Sequence, residues 1–521
     1  LTLSSAASTL SPLRIFGKTK DFCMRIRILK LKGIHICSIF LACALFVKSP
    51  AYAGNGGGGA AYLSIGEKDV IDRALLTAPD TLAALEMLRA KESGIEAAKS
   101  TFDTYIKGDI GYTRNEFERS STWFGTREDT MTWGLGVSKK LPSGTSASLT
   151  WTNRRDQLFG VPEIAGRNIF PREPIYESTV SLSVNQPILK NAGGKIDRAA
   201  VEEAKRVFEA ADLNTKYRVT AIAKDALIAY WRWVISFKYL EAYEKGILDA
   251  IHFLNVVTEK VSLGTAENTD LLAAKANLIN KRNGLLAAER VNREMERAVR
   301  VVLGIGTEPK IMPRERSVKF DEDYYKDQAA AISHALASRW DYLAKKREIE
   351  GLNIKTVALK NARWPELDVS ATFAVNGLKS DYKNSVGGMD NPYFGVGASL
   401  SIPLEGRAAS AALKGAEHAK AVAIIELKKM EMEIANSIAS LIKVVELNRK
   451  IVENAQEVLA LQKEKLEEEL QKYKLGRSSA DIVIRYQDDL LYASSTALDA
   501  WANYKESVIN LKFAQNLLVK E

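Results

Sequence analysis

The side chains able to do bond-making or metal chemistry are few and scattered. His252, His334 and His418 lie far apart, and no His-Glu-x-x-His pattern occurs. Asn191-Ala192-Gly193-Gly194-Lys195 lacks the spacing of a phosphate-binding loop. Glu467, Glu468 and Glu469 are adjacent on a charged helical stretch and read as surface charge. Trp231 and Trp233 are two apart, so on a helix they face different sides and at least one is expected to pack. The thiols Cys23, Cys37 and Cys43 all precede residue 54. No catalytic, cofactor-binding or metal-binding residues are expected, and the chain does not read as an enzyme. The positions that stand out are two reversals, Leu263-Gly264-Thr265-Ala266 and Leu475-Gly476-Arg477-Ser478. Glycine fits such turns because it tolerates positive φ.

The chain has 521 residues and a formal charge of +9. Most of that excess is local. Residues 1–53 hold eight basic residues and one acid, so the rest carries 65 basic against 63 acidic side chains. A near-neutral remainder argues against a nucleic-acid binder. From Met24, a basic stretch (Arg25, Arg27, Lys30, Lys32) leads into the apolar run Ile34–Val47 and then Ala51-Tyr52-Ala53. This is the pattern of an export signal, with cleavage expected after Ala53; residues 1–23 read as upstream sequence. A Gly-rich N-terminus, 54–63, follows.

The remainder reads as two related halves. Residues 71–102 match 332–363 at an offset of 261, with Ile71/Ile332, Ala74/Ala335, Asp80/Asp341 and Lys99/Lys360 among the identities. Pro187 and Pro403 then pair at 216, and Leu263-Gly264 with Leu475-Gly476 at 212. The shorter offset implies about 45 extra residues between 102 and 187 in the first half. The first repeat, 64–303, is expected to hold helices 64–102, 195–263 and 266–303, with strands within 103–190. A linker spans 304–326. The second repeat, 327–521, is expected to hold helices 327–362, 406–475 and 479–518, with strands within 365–403. A helix of nearly 70 residues is on the order of 100 Å long. Ile438, Val445, Val452, Leu459, Leu466 and Tyr473 recur every seven residues, a coiled-coil seam with polar residues in the alternate positions.

Six segments alternate with period two: 104–113, 130–139, 146–153, 178–185, 367–376 and 394–402. One face is apolar and aromatic, the other Gly, Ser and Thr. A soluble sandwich gives the same alternation. Three features favour a membrane barrel. The length suits a tilted spanning strand. Aromatic residues (Trp123, Trp133, Trp151, Tyr176, Tyr393, Phe394) fall where interfacial girdles would sit. An export signal precedes the strands. A bilayer requires every backbone group to be paired, so the sheet must close, and six strands per chain suggest several copies. Parity makes 140–145 a tight turn on the helix side and 115–128, 156–175 and 377–392 the loops on the other.

A duplicated, exported chain with strand hairpins between very long helices resembles the TolC-like outer membrane efflux family. The stretches that carry the resemblance are Leu63-Ser64-Ile65 before Ala74-Leu75, Gln186-Pro187-Ile188-Leu189, Val302-Leu303-Gly304, Ile402-Pro403-Leu404-Glu405-Gly406-Arg407 and the two Leu-Gly turns. The resemblance implies a mixed α and β membrane protein: a homotrimer with an outer membrane β-barrel continued by a periplasmic α-helical barrel. Family members usually give four strands per subunit. Six here predict an 18-stranded barrel, unless the extra hairpin lies outside the wall. The implied function is a passive exit duct for a tripartite efflux pump or type I secretion system, set in outer membrane lipid. Its partners would be a periplasmic adaptor (membrane fusion protein) and an inner-membrane RND, ABC or MFS transporter. By the same resemblance Asp270 and Tyr473 match the periplasmic gate network. Arg477 and Asp481 are near enough to join it, although Asp481 follows Gly476 by five residues where the family has its Asp at six. Leu263, Gly264, Thr265, Leu475 and Gly476 are the adaptor-contact candidates; Trp133, Trp151, Tyr393 and Phe394 the membrane-girdle candidates. The competing reading is a periplasmic adaptor or structural coiled-coil protein with a soluble β-domain.

Overall fold

A computed structural model describes residues 62–119, 125–164, 167–168 and 173–519. The export signal, the Gly-rich stretch before residue 62, the three cysteines and Trp123 lie outside the described residues. In chain order the elements are β1 (Leu63–Ile65), α1 (Glu67–Leu76), α2 (Pro79–Lys99), β2 (Thr104–Asn115), β3 (Arg127–Lys140), β4 (Ser146–Phe159), β5 (Glu163–Ile164), β6 (Arg167–Asn168) and β7 (Ile175–Pro187). Then come α3 (Lys195–Ser262), α4 (Asn268–Leu303), β8 (Ile311–Pro313), α5 (Gln328–Ser338), α6 (Trp340–Ala362), β9 (Glu366–Lys379), α7 (Tyr382–Gly387), β10 (Asn391–Ser401), α8 (Arg407–Lys474) and α9 (Ala480–Ala514). No described helix is long and apolar enough to cross a membrane.

The short helices are broken where the sequence reading has them continuous. Residues 63–65 are extended and pair in parallel with 311–313. The Gly66 amide donates to Asp69 and starts α1. Pro79 ends the run, because it has no N–H to donate and its ring crowds the preceding turn; Thr77 and Ala78 instead both donate to the Arg73 carbonyl. In the second half Arg339 takes ψ 126° and separates α5 from α6. The Asp327 side chain caps α5 through the Ala330 amide.

The chain divides into two compact units. One comprises 82–219 and 325–440; the other comprises the segments up to 81, 220–324 and 441 onward. The first unit holds a single six-stranded antiparallel sheet in the order β10-β9-β7-β4-β3-β2. All six alternating segments are in it, and each runs 11 to 14 residues. They outrun the alternating apolar core because charged pairs, such as Arg114 on Asp129, extend the ladder at one end. The turn 141–145 is tight, closed by Leu141 N–H to Thr145 O, with Gly144 at φ +83°. Residues 377–392 are more than a loop: β9 continues to Lys379 and α7 lies against β9 and β7.

The second unit packs the C-terminal parts of α3 and α8 with α1, α4 and α9. Its main core gathers Ile65, Val70, Leu227, Tyr230, Trp233, Val299 and Ile509. Trp231 and Trp233 are both buried, and Tyr230 sets its edge against each ring. The heptad residues Val445, Val452, Leu466 and Tyr473 are buried as the seam requires. α3 and α8 have 68 residues each and start 212 apart.

Candidate helical tip and sheet faces

The two tip reversals share one bonding pattern. Gly264 N–H donates to Val261 O and Thr265 N–H to Lys260 O; Gly476 N–H donates to Tyr473 O and Arg477 N–H to Lys472 O. Each pair is a Schellman motif, which satisfies the last helical carbonyls and needs a left-handed residue. Gly264 and Gly476 supply it, at φ +70° and +76°. Leu263 and Leu475 are exposed beside them, 69% and 70%, too apolar and too open to be core.

Behind the turns a small core holds Phe253, Val257, Ala274, Leu466, Tyr473, Ala480 and Val483. Tyr473 is 4% exposed, which places it in this core rather than on the surface. Its ring meets Phe253 at 5.2 Å, and Lys260 Nζ sits 5.0 Å from its centre while donating to the Tyr473 carbonyl. The Tyr473 hydroxyl has no hydrogen-bond partner among the described residues. Burial first, then the Asp270 charge, raises its phenol pKa. Asp270, half-buried in the first turn of α4, is thus near enough for its charge to act on Tyr473. The structure leaves Arg477 and Asp481 exposed at the turn and in the first turn of α9.

Several polar groups at this end escaped the sequence reading. Glu469 is buried, unlike Glu467 and Glu468, because Ser478 folds back beyond the turn and donates to it. That bond and Lys472 hold its carboxyl below the usual range. Further from the turn, Asn277, Lys281 and Gln487 form a buried polar layer. Asn277 donates to Gln487, Gln487 to the Asp249 carbonyl, and Lys281 Nζ to Asp488 at 2.5 Å. Burial raises the Asp249 carboxyl pKa, opposed by Lys245, His252 and Lys281. A cavity of about 180 Å³ beside the layer is lined by Lys245, Asp249, Leu466 and Gln487 among others. The signal was present: Asn277 and Lys281 interrupt an α4 stripe otherwise made by Ala274, Leu278 and Ala288.

The strand register sorts the sheet into two faces, since cross-strand partners share a side. One continuous row is Leu135–Trp151–Val180–Val375; the next row toward the loop end is Ile110–Trp133–Asn153–Ser178–Gly377. Trp133, Trp151 and Phe394, the last opposite Phe373, belong to this apolar face. Tyr393 is opposite Ala374 and belongs to the Gly/Ser/Thr face instead, because consecutive strand residues point to opposite sides. The apolar face is uncovered over most of its extent: Ile106 is 78% exposed, Ile110 77% and Phe394 72%. Where α7 crosses it, Tyr382 packs on Trp133 and Tyr176 at 5.3 and 6.1 Å. Beneath lie Ser178 and Asn153, both buried; Trp151 Nε1 donates to Ser178, and Ser178 to Asn153. Among the described residues no group of His, Cys, Asp and Glu is arranged to hold a metal.

No protein-family model matches the chain, and no curated protein sequence does. Solved structures do. The CusC transmembrane channel aligns at 13% identity with a TM-score of 0.64, over 89% of this chain and 95% of that one. The Campylobacter jejuni CmeC outer membrane channel aligns at 14% identity and a TM-score of 0.64, over 86% and 85%. The open-state MtrE outer membrane channel of Neisseria gonorrhoeae aligns at 13% and 0.62, over 86% and 88%. The chain thus has the fold of outer membrane channels of this kind: mixed α and β, with a six-stranded antiparallel sheet and very long helices.

Proposed function

We propose that the chain is an outer membrane exit duct: a passive conduit of a tripartite efflux pump or type I secretion system, with no reaction of its own. One observation carries the reading. A six-stranded sheet leaves a largely apolar face exposed over most of its extent, inside the fold of known outer membrane channels. In water that face would need a second layer, and the described residues put only the short α7 over it. This favours lipid as the covering and disfavours the soluble adaptor or coiled-coil alternative.

The sheet has two unpaired edges, β2 and β10. β2 runs away from the helices and β10 runs toward them, so β10 of one copy beside β2 of the next continues the antiparallel order. Three copies closing this way make an 18-stranded barrel with no edge left in the bilayer. The Gly/Ser/Thr face then lines a polar lumen, and the helices extend into the periplasm of a Gram-negative-type cell as an α-helical barrel. The two halves are internal repeats. Their long helices start 212 residues apart, as do the left-handed ends Gly264 and Gly476 and the ends Gly304 and Asn516.

The tip is the control point in this reading. A periplasmic adaptor would meet Leu263, Gly264, Thr265, Leu475 and Gly476 and open the end, with an RND, ABC or MFS transporter supplying the work. Tyr473 acts from within the protomer core and the half-buried Asp270 from the first turn of α4; Arg477 and Asp481 are exposed and so placed to link copies. The deciding experiment is the mass of protein extracted in detergent from separated outer membranes. Three mature chains in one particle, absent from the soluble periplasmic fraction, is the expected result. A soluble monomer would overturn the reading.

A further inference from the structure

Resting on the membrane reading above, we propose that the apolar sheet face carries, at its loop end, a binding row for the phosphate groups of a phosphorylated outer-leaflet glycolipid. The row is Met131–Arg155–Tyr176–Lys379 in register across β3, β4, β7 and β9. It lies one step beyond the row that holds Trp133 and Gly377, on the same face. The depth is thus fixed independently of the charges. Trp133, Tyr176 and Tyr382 form an aromatic cluster of the kind that settles at a membrane surface. Cations immediately beyond it, facing lipid rather than lumen, stand at headgroup level.

The charge balance there is positive. Arg114 and Arg127 share the single carboxylate of Asp129. Arg155 bonds only the neutral Gln157, and Lys379 has no ion-pair partner among the described residues. Asp381, the nearest acid in sequence to Lys379, is turned to the start of α7, where it accepts from Asn384. Arg155 and Lys379 flank Tyr176 across two strand spacings, about 10 Å. That separation suits two phosphates on one sugar headgroup better than a single small anion. Arginine adds bidentate phosphate recognition, and each cation near an anionic surface contributes on the order of 1 kcal/mol.

The test uses the full chain purified in detergent and mixed with diphosphoryl lipid A, with bound lipid counted by native mass spectrometry. R155Q and K379Q should each lower lipid A retention about five-fold, and the pair more, with oligomer mass unchanged. K107Q, the same charge change on the opposite face, should leave it unaltered. Equal retention in wild type and the R155Q/K379Q pair would overturn the inference. So would displacement of the lipid by excess inorganic phosphate, which would mean a site for the free anion. Failure of the membrane reading looks different: the wild-type chain would stay soluble without detergent.

Discussion

The sharpest energetic expectation concerns Lys281. Its side chain is 4% exposed, while its partner Asp488 is 61% exposed. The two ends of one ion pair should therefore respond unequally to removal. In Asp488→Asn the ammonium stays inside the helical packing with a weaker partner. A hydrogen bond to a charged group is worth about 1.5–3 kcal/mol, and a buried charge stripped of its partner costs more. Asp249 is close enough to interact with Lys281 and offsets part of the loss, so about 2 kcal/mol is expected. In Lys281→Met the stem is replaced by an apolar chain of similar reach, and Asp488 is left in water; the cost should stay below about 1 kcal/mol. The double variant should resemble Lys281→Met, giving a coupling of at least about 1 kcal/mol. The assay is denaturant unfolding of the detergent-solubilised protein followed by helical circular dichroism. Equal losses in the two single variants, or a harmless Asp488→Asn, would refute the reasoning that burial, not the contact alone, sets the value of the pair.

Other outcomes follow from the same geometry. A Cβ at Gly377 would lie 2.2 Å from the Ser385 carbonyl oxygen, so Gly377→Val should lift α7 and make residues 380–390 cleavable by protease without loss of helix content. Val396→Arg should block membrane assembly, since an arginine on the lipid face costs about 2–4 kcal/mol near mid-bilayer; Ser399→Arg, on the other face, should assemble and lower single-channel conductance. Glu469 has a lowered pKa, so its stabilisation of the tip is present at neutral pH and is lost only as pH falls through its folded value, below the ordinary carboxylate range. Ser478→Ala should shift that acid transition upward, while Asp249→Asn should stabilise at neutral pH, because a raised carboxyl is destabilising when ionised. Acid titration of thermal unfolding checks both.

Strand alternation was legible because its period is two and one face is exposed to a single environment. Trp133, Leu135 and Val137 against Gly134, Gly136 and Ser138 left little room for another reading. The long helices were legible from heptad spacing. The breaks at Pro79 and Arg339 were not, since the apolar period runs through both; a proline without an N–H marks one and a single torsion at Arg339 the other. α7 was hidden for another reason: six residues carry too little periodicity, and its place depends on Gly377 and on the Tyr382 ring meeting Trp133 of a distant strand at a tilt. At the tip the Leu-Gly turns announced themselves. The burial of Tyr473 followed from the heptad spacing, but that of Glu469 did not, because it depends on Ser478 folding back from beyond the turn.

The connectivity of the sheet also sets how such a wall can change size. Apart from the short α7 between β9 and β10, every strand end that joins a helix lies at one end: Thr104, Pro187, Glu366 and Ser401. A chain that must leave on the side where it arrived can add or drop strands only in pairs. β3 and β4 form such a pair, joined by the five-residue turn 141–145. Excising them would set β2 beside β7 with opposite directions preserved and the helices untouched. In a threefold closure the perimeter therefore moves in steps of six strands, and bore grows with strand number. Aperture becomes a coarse dial turned by whole hairpins, separable from the helical machinery that decides when the passage is open.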